Sequence, residues 1–128
     1  MANVLEQIIR DKKEILDSIK KNNSLSSLEK KIKDLNFFNN FKKAIQNNKN
    51  ISLISEIKKA SPSAGIIIEN YNPVEIAQKY YKSNVTCLSV LTEEDFFLGK
   101  LDHISDIKKK LIFQYYVKTF LLILFKFI

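Results

Sequence analysis

The sequence predicts an α/β fold built on a parallel sheet. Residues 51–57 (Ile-Ser-Leu-Ile-Ser-Glu-Ile) and 85–91 (Val-Thr-Cys-Leu-Ser-Val-Leu) are short, β-branched and mostly apolar, the pattern of strands buried on both faces. Each is followed by a stretch of helical periodicity, so the order runs strand, helix, strand, helix. A helical region precedes the first strand.

The elements follow in chain order. Residues 4–20 read as an amphipathic helix, because Leu5, Ile8, Ile9, Ile15, Leu16 and Ile19 fall mostly at three- and four-residue spacings. Asn22-Asn23-Ser24 breaks it. Ser24 or Ser26 caps a second helix running to about Leu35, with Leu25, Leu28, Ile32 and Leu35 on one stripe. Residues 36–50 hold Phe37, Phe38, Phe41, Ala44 and Ile45 and read as a third short helix or a turn. The first strand then ends at Ser61-Pro62. Tyr71-Asn72-Pro73 opens a helix with Pro73 in its first turn and Val74, Ile76, Ala77, Tyr80 and Tyr81 on its apolar side. The second strand is followed by a helix over 101–110, with Ile104 and Ile107 turned inward. The boundaries are therefore 1–50 for a helical extension, 51–110 for two β/α units and 111–128 for an apolar tail.

Composition narrows the function classes. The 128 residues fall short of the roughly 250 of a complete (β/α)8 barrel. Lysine and arginine number 21 against 14 acidic residues, a net charge of +7 with pI ≈ 9.4. The lysines are scattered in pairs such as Lys12-Lys13 and Lys42-Lys43, which reads as solvated helix faces and not as a nucleic-acid surface. Arg10 is the one arginine, and with abundant Asn, Ile and Phe this indicates an AT-rich gene. A single cysteine, Cys87, and a single histidine, His103, exclude a disulfide framework and make a histidine-centred triad or metal site unexpected. Cys87 is expected to be a small buried thiol and His103 a surface helix residue. Glu6, Arg10 and Asp11 interrupt any apolar leader, so the chain is expected in the cytoplasm.

Chemistry concentrates in residues 53–65, Leu-Ile-Ser-Glu-Ile-Lys-Lys-Ala-Ser-Pro-Ser-Ala-Gly. Glu56 and Lys58 are two apart at the end of a strand, so they share a side, with α-carbons about 6.6 Å apart. A Lys–Glu pair there can hold both groups charged or tune either for proton transfer. It can equally be an ion pair that closes the strand, and spacing alone leaves the two open. Ser61-Pro62-Ser63 is a rigid polar loop able to offer hydroxyls and N–H groups to an anion.

Residues 53–67, with Glu56, Lys58, Ser61-Pro62-Ser63 and Ile67, resemble the signature segment of indole-3-glycerol-phosphate synthase. Asn72-Pro73-Val74-Glu75-Ile76-Ala77 resembles that family's DPVEIA helix start. Leu88 to Glu93, with Phe96-Phe97 and Gly99, resembles its second strand and loop. The likeness covers residues 3 to about 110. It implies the N-terminal portion of a (β/α)8 barrel with extra N-terminal helices, the barrel being incomplete. It implies a lyase of tryptophan biosynthesis that closes the ring of a carboxyphenylamino-deoxyribulose 5-phosphate with loss of carbon dioxide and water, using no metal and no cofactor. By position, Glu56 and Lys58 are catalytic, Ser61 and Pro62 line the substrate pocket, and Phe96 or Phe97 packs on the aromatic ring or in the core. Ser89 is expected to pack. Ala64 stands where the family often has lysine, which removes one phosphate contact.

The family's third strand carries a Lys-Asp-Phe motif whose lysine is the general acid. Residues 111–128 lack it in frame: fourteen of the eighteen are apolar, none is acidic, and Thr119 follows Lys118. Lys118 is not read as catalytic. Lys118 and Gln114 count against a bilayer span, because mid-bilayer lysine is costly. One AT-rich codon spelling of this tail, read from its third base, encodes NIPILCKDFFINTFQIY, which resembles the family's third strand in the form fused to phosphoribosylanthranilate isomerase. The expectation is a frameshift after about Lys110, near the codons of Lys108-Lys109-Lys110, and no activity from this chain alone. The likeness to the fused form leaves open whether an isomerase domain follows in a full-length product. The alternatives are a non-catalytic remnant and a tail-anchored, membrane-associated helical protein.

Overall fold

The computed structural model of the chain describes residues 3–22, 24–33, 41–49, 51–111 and 119–120. It divides into two compact units, 1–38 and 39–128.

The first unit holds two helices. Helix α1 spans Val4–Asn22 and α2 spans Leu25–Lys33. Each start is capped by a side chain that accepts an otherwise orphaned N–H: Asn3 Oδ1 takes Leu5 N at 3.1 Å and Ser24 Oγ takes Ser27 N at 3.2 Å. Ser24, not Ser26, is thus the residue that caps α2. Lysines fill the last turn of both, where the helix dipole favours positive charge. Ile8 is buried, whereas Leu25, Leu28 and Ile32 of the α2 stripe are exposed.

The second unit begins with α3, Phe41–Gln46, and continues as strand, helix, strand, helix. Strand β1 is Ile54–Ile57; β2 (Ala60–Ser61) and β3 (Gly65–Ile66) form a small antiparallel hairpin; α4 is Pro73–Lys82; β4 is Cys87–Val90; α5 is Asp102–Leu111; β5 is Thr119–Phe120. The main sheet is parallel in the order β1-β4-β5, with Ile54 beside Cys87, Glu56 beside Ser89, and Leu88 beside Thr119.

Both predicted strands are shorter than their apolar runs. The reason for the first is visible at Leu53: its N–H donates to the Thr86 hydroxyl at 3.1 Å and its carbonyl accepts from Thr86 N and Cys87 N, an irregular junction that a ladder cannot pass through. Asn48 Nδ2 also donates to Thr86 Oγ1 at 3.0 Å, and Ser52 Oγ donates to the Ile45 carbonyl, so the end of α3 is stitched to the start of the sheet.

Burial also departs from expectation. Strand β1 alternates, with Ser55 and Ile57 buried and Ile54 and Glu56 exposed, instead of being covered on both faces. The covered face packs on the helices: Ile57, Leu88 and Val90 meet Ala77 of α4 and Ile107 and Leu111 of α5. Tyr71, Val74, Tyr80 and Ile104 close over this cluster. Burying a side chain of this size stabilises by about 1.5–3 kcal/mol, so these few residues hold the unit together.

Helix α4 starts as its sequence predicts. Asn72 is the N-cap, its Oδ1 accepting from Val74 N at 3.1 Å and Glu75 N at 3.2 Å, and Pro73 occupies the first turn where no N–H is missed. No described helix is long and apolar enough to cross a membrane. Gln114, Lys118 and most of the tail lie outside the described residues, and Thr119–Phe120 of the tail form β5.

Candidate active site

The carboxyl end of β1 presents the charged pair. Lys58 Nζ lies 2.7 Å from Glu56 Oε1, with the lysine side chain 31% and the glutamate 46% exposed. Their two-residue spacing does what strand geometry dictates and brings both heads to one side. An ion pair this open contributes only about 0–1 kcal/mol. Ser89 is half-buried and in register with Glu56 on the neighbouring strand. From the outer layer, the Tyr80 hydroxyl of α4 donates to the Glu56 carbonyl at 3.3 Å and fixes the strand just below the charges.

Ser61 and Pro62 follow immediately, in the β2–β3 hairpin that sequence reading took for a plain loop. The Lys59 carbonyl accepts from both Ile67 N (2.8 Å) and Ile68 N (3.2 Å), and the Ser61 hydroxyl accepts from Ala64 N at 3.2 Å. Gly65 makes the turn possible with φ +65°. Ser61 therefore spends an acceptor on shaping its own turn, while Pro62 and Ser63 are exposed.

Phe96 and Phe97 lie in the loop after β4, both half-buried. They are brought to the first loop directly, because Ala60 N donates to the Phe97 carbonyl at 3.3 Å. Of the six predicted site residues, Glu56 thus lies in the last half of β1, and the other five follow the carboxyl ends of β1 and β4 on two segments joined by that bond. What sequence reading missed is the residue that shapes the second loop. Glu93 Oε2 accepts from Phe96 N at 2.7 Å and Phe97 N at 3.3 Å, and Oε1 from Asp95 N at 3.2 Å. The available signal was an acidic residue just ahead of a Phe-Phe pair and a glycine.

His103 lies on α5, as expected, and is half-buried: its Nδ1 is buried without a hydrogen-bond partner, and its ring sits 5.6 Å from that of Tyr71, whose hydroxyl is likewise buried and unpaired. Burial holds the imidazole pKa below its ordinary value, helped by Lys100 and Lys59 and opposed by Asp106 and Asp102. Burial pushes the Tyr71 hydroxyl up to about 12. Cys87 is buried, as its strand position predicts. Among the described residues, no cluster of three His, Cys, Asp or Glu is placed to hold a metal ion.

Parallel β/α units with polar residues at the strands' carboxyl ends are the layout of α/β enzymes, both barrels and open sheets, and here they form a partial, unclosed sheet. The indole-3-glycerol phosphate synthase family matches residues 5–124, and the chain belongs to that family. That match runs past Lys110 into the stretch holding β5. Curated relatives named indole-3-glycerol phosphate synthase include those of Clostridium acetobutylicum, 47% identical over 107 residues (83% of this chain, 40% of the relative), and Bacillus licheniformis, 40% identical over 120 residues (93% and 44%). The Bacillus pumilus protein of the same name is 56% identical over 70 residues, or 54% of this chain and 28% of that one. The chain therefore spans about 40% of the length of the relatives that it matches over most of its own.

Proposed function

We infer that this chain carries the first two catalytic loops of an indole-3-glycerol phosphate synthase acting in tryptophan biosynthesis in the cytoplasm. The substrate is the phosphorylated sugar 1-(2-carboxyphenylamino)-1-deoxyribulose 5-phosphate, which closes to an indole with loss of carbon dioxide and water. The observation that supports this best is the half-exposed Glu56–Lys58 pair at the carboxyl end of β1, placed beside the Ser61-Pro62 turn and linked to the Phe96-Phe97 loop. An ammonium at that position steadies the substrate's carboxylate and passes a proton; Glu56 charge-balances and orients it. Ser61 and Pro62 border the pocket and Phe96 or Phe97 stacks on the anthranilate ring. The chemistry is complete only with strands beyond these, and we read the change of composition after Lys110 as a shift of frame. Sequencing the gene past the Lys108 to Lys110 codons tests that part.

A hybrid tests the catalytic roles. Residues 1–110 replace the matching stretch of the Clostridium acetobutylicum synthase, and indole-glycerol-phosphate formation is followed. Lys58→Met should lower turnover by about 10²-fold or more with an unchanged melting temperature. If Lys58 merely closes the strand, the same change will shift stability and leave turnover nearly intact.

A further inference from the structure

We propose that Glu93 is a positioning residue whose carboxylate couples the two site loops, so that the Phe96-Phe97 loop and the Lys58–Ser61 segment hold or lose their geometry together. This deepens the reading of these loops as substrate loops, but its test does not depend on activity.

Glu93 sits three residues past the end of β4 and its side chain folds forward over the chain that follows. The carboxylate gathers the N–H groups of Asp95, Phe96 and Phe97, the shortest at 2.7 Å. Bonds from backbone N–H to an ionised carboxylate are among the stronger hydrogen bonds in proteins. The Glu93 main chain works at the other end of the same loop, its carbonyl accepting Gly99 N at 2.7 Å. Between those anchors Leu98 is held at φ 51°, a left-handed conformation that a branched side chain ordinarily avoids. Such backbone persists only where surrounding bonds impose it. One glutamate therefore supplies both the inner and the outer closure of residues 93–99.

The loop so fixed does not end on itself. The Phe97 carbonyl accepts the N–H of Ala60, a buried residue one position past Lys59 and one before Ser61. Phe97 thus donates its N–H to Glu93 and offers its carbonyl to the first loop. Phe97, through its two flanking peptide groups, is a direct bridge from the carboxylate to the hairpin that follows Glu56 and Lys58. Rotation of Phe97 when the carboxylate is gone would swing its carbonyl off Ala60.

Amide hydrogen exchange on the 128-residue chain reads this directly. Glu93→Ala should raise exchange at Phe96 and Phe97 and, with them, at Ala60 by about ten-fold or more. The Leu91 amide, which donates to the Ile57 carbonyl just past the end of β4, should change little and serves as the internal reference. Glu93→Gln keeps one acceptor oxygen and the side-chain volume, so it should fall between wild type and Glu93→Ala at all three amides. Faster exchange at Phe96 and Phe97 with Ala60 unchanged would overturn the coupling. An equal rise at Leu91 in both variants would also overturn it, because Glu93 would then matter only to global stability.

Discussion

The chain's two glycines fail for different reasons when a methyl group is added, and the contrast is measurable. Gly65 turns the β2–β3 hairpin at φ +65° with open space around a would-be Cβ. Alanine there meets no atom but must adopt a left-handed conformation, at a cost of about 1–2 kcal/mol. Asparagine tolerates that conformation, so Gly65→Asn should recover part of the loss. Gly99 has no such backbone demand. A Cβ on it would sit 2.2 Å from the Leu91 carbonyl oxygen and 2.9 Å from Thr92 Cα, all backbone atoms that cannot swing aside. Relieving that overlap costs about 1–3 kcal/mol, and the Gly99–Glu93 hydrogen bond that the shift would stretch adds about 0.5–1.5 kcal/mol. The sum is about 2–4 kcal/mol, a large share of the roughly 5–15 kcal/mol that holds a small domain folded. Urea unfolding of the chain is the assay, with a slope of about 1–3 kcal/mol per molar. The midpoints should rank wild type, Gly65→Asn, Gly65→Ala, Gly99→Ala, and Gly99→Asn should be no better than Gly99→Ala. A Gly99→Ala midpoint equal to wild type, or a Gly65→Asn midpoint below that of Gly65→Ala, would refute the reasoning.

Two further outcomes are expected. Asn72→Ala removes the acceptor for Val74 N and Glu75 N at the start of α4 and should cost about 1 kcal/mol, whereas Asn72→Asp should cost little; thermal melts of both variants check this. His103 binds its proton less readily folded than unfolded, chiefly because it is buried. Its contribution to stability is therefore fully present above the ordinary imidazole pKa near 6.5 and is lost as pH falls from there through the lower folded value. Melting temperatures between about pH 7.5 and 5.5 should fall for the wild type and fall less for His103→Gln.

What could be read from the residues followed the length of each signal. Helices α1 and α4 carry long periodic stripes and clear caps, and they lie where the pattern places them. The apolar runs 51–57 and 85–91 identify the two parallel strands but overrun them, because Leu53 leaves the ladder to bond the Thr86 side chain, a contact 33 positions away in sequence. The β2–β3 hairpin has two residues on each side, too few to show an alternation, and only Gly65 hints at it. The Glu56–Lys58 pair was legible because strand geometry alone sets its spacing. Neither Glu93 nor the Tyr71–His103 pair was, since each depends on chain that returns from elsewhere or on an irregular turn with no period of its own. Thr119 and Phe120 join the sheet from within a stretch whose apolar composition was read as an accident of frame, and the family match to residue 124 includes them.

Among the described residues β1 forms one border of the main sheet, with Ile54 and Glu56 on its uncovered face and Ile51 and Leu53 exposed just before it. A parallel border strand with no strand beside it invites another strand to add to it, and charge is a common deterrent. Here the deterrent is the same Glu56–Lys58 pair assigned to the substrate. On the proposed catalytic reading the two roles pull alike, since the same two charges also keep the border from growing into a cross-chain sheet. Neutralising both should leave that border unguarded and make the chain stickier, whatever it does to turnover.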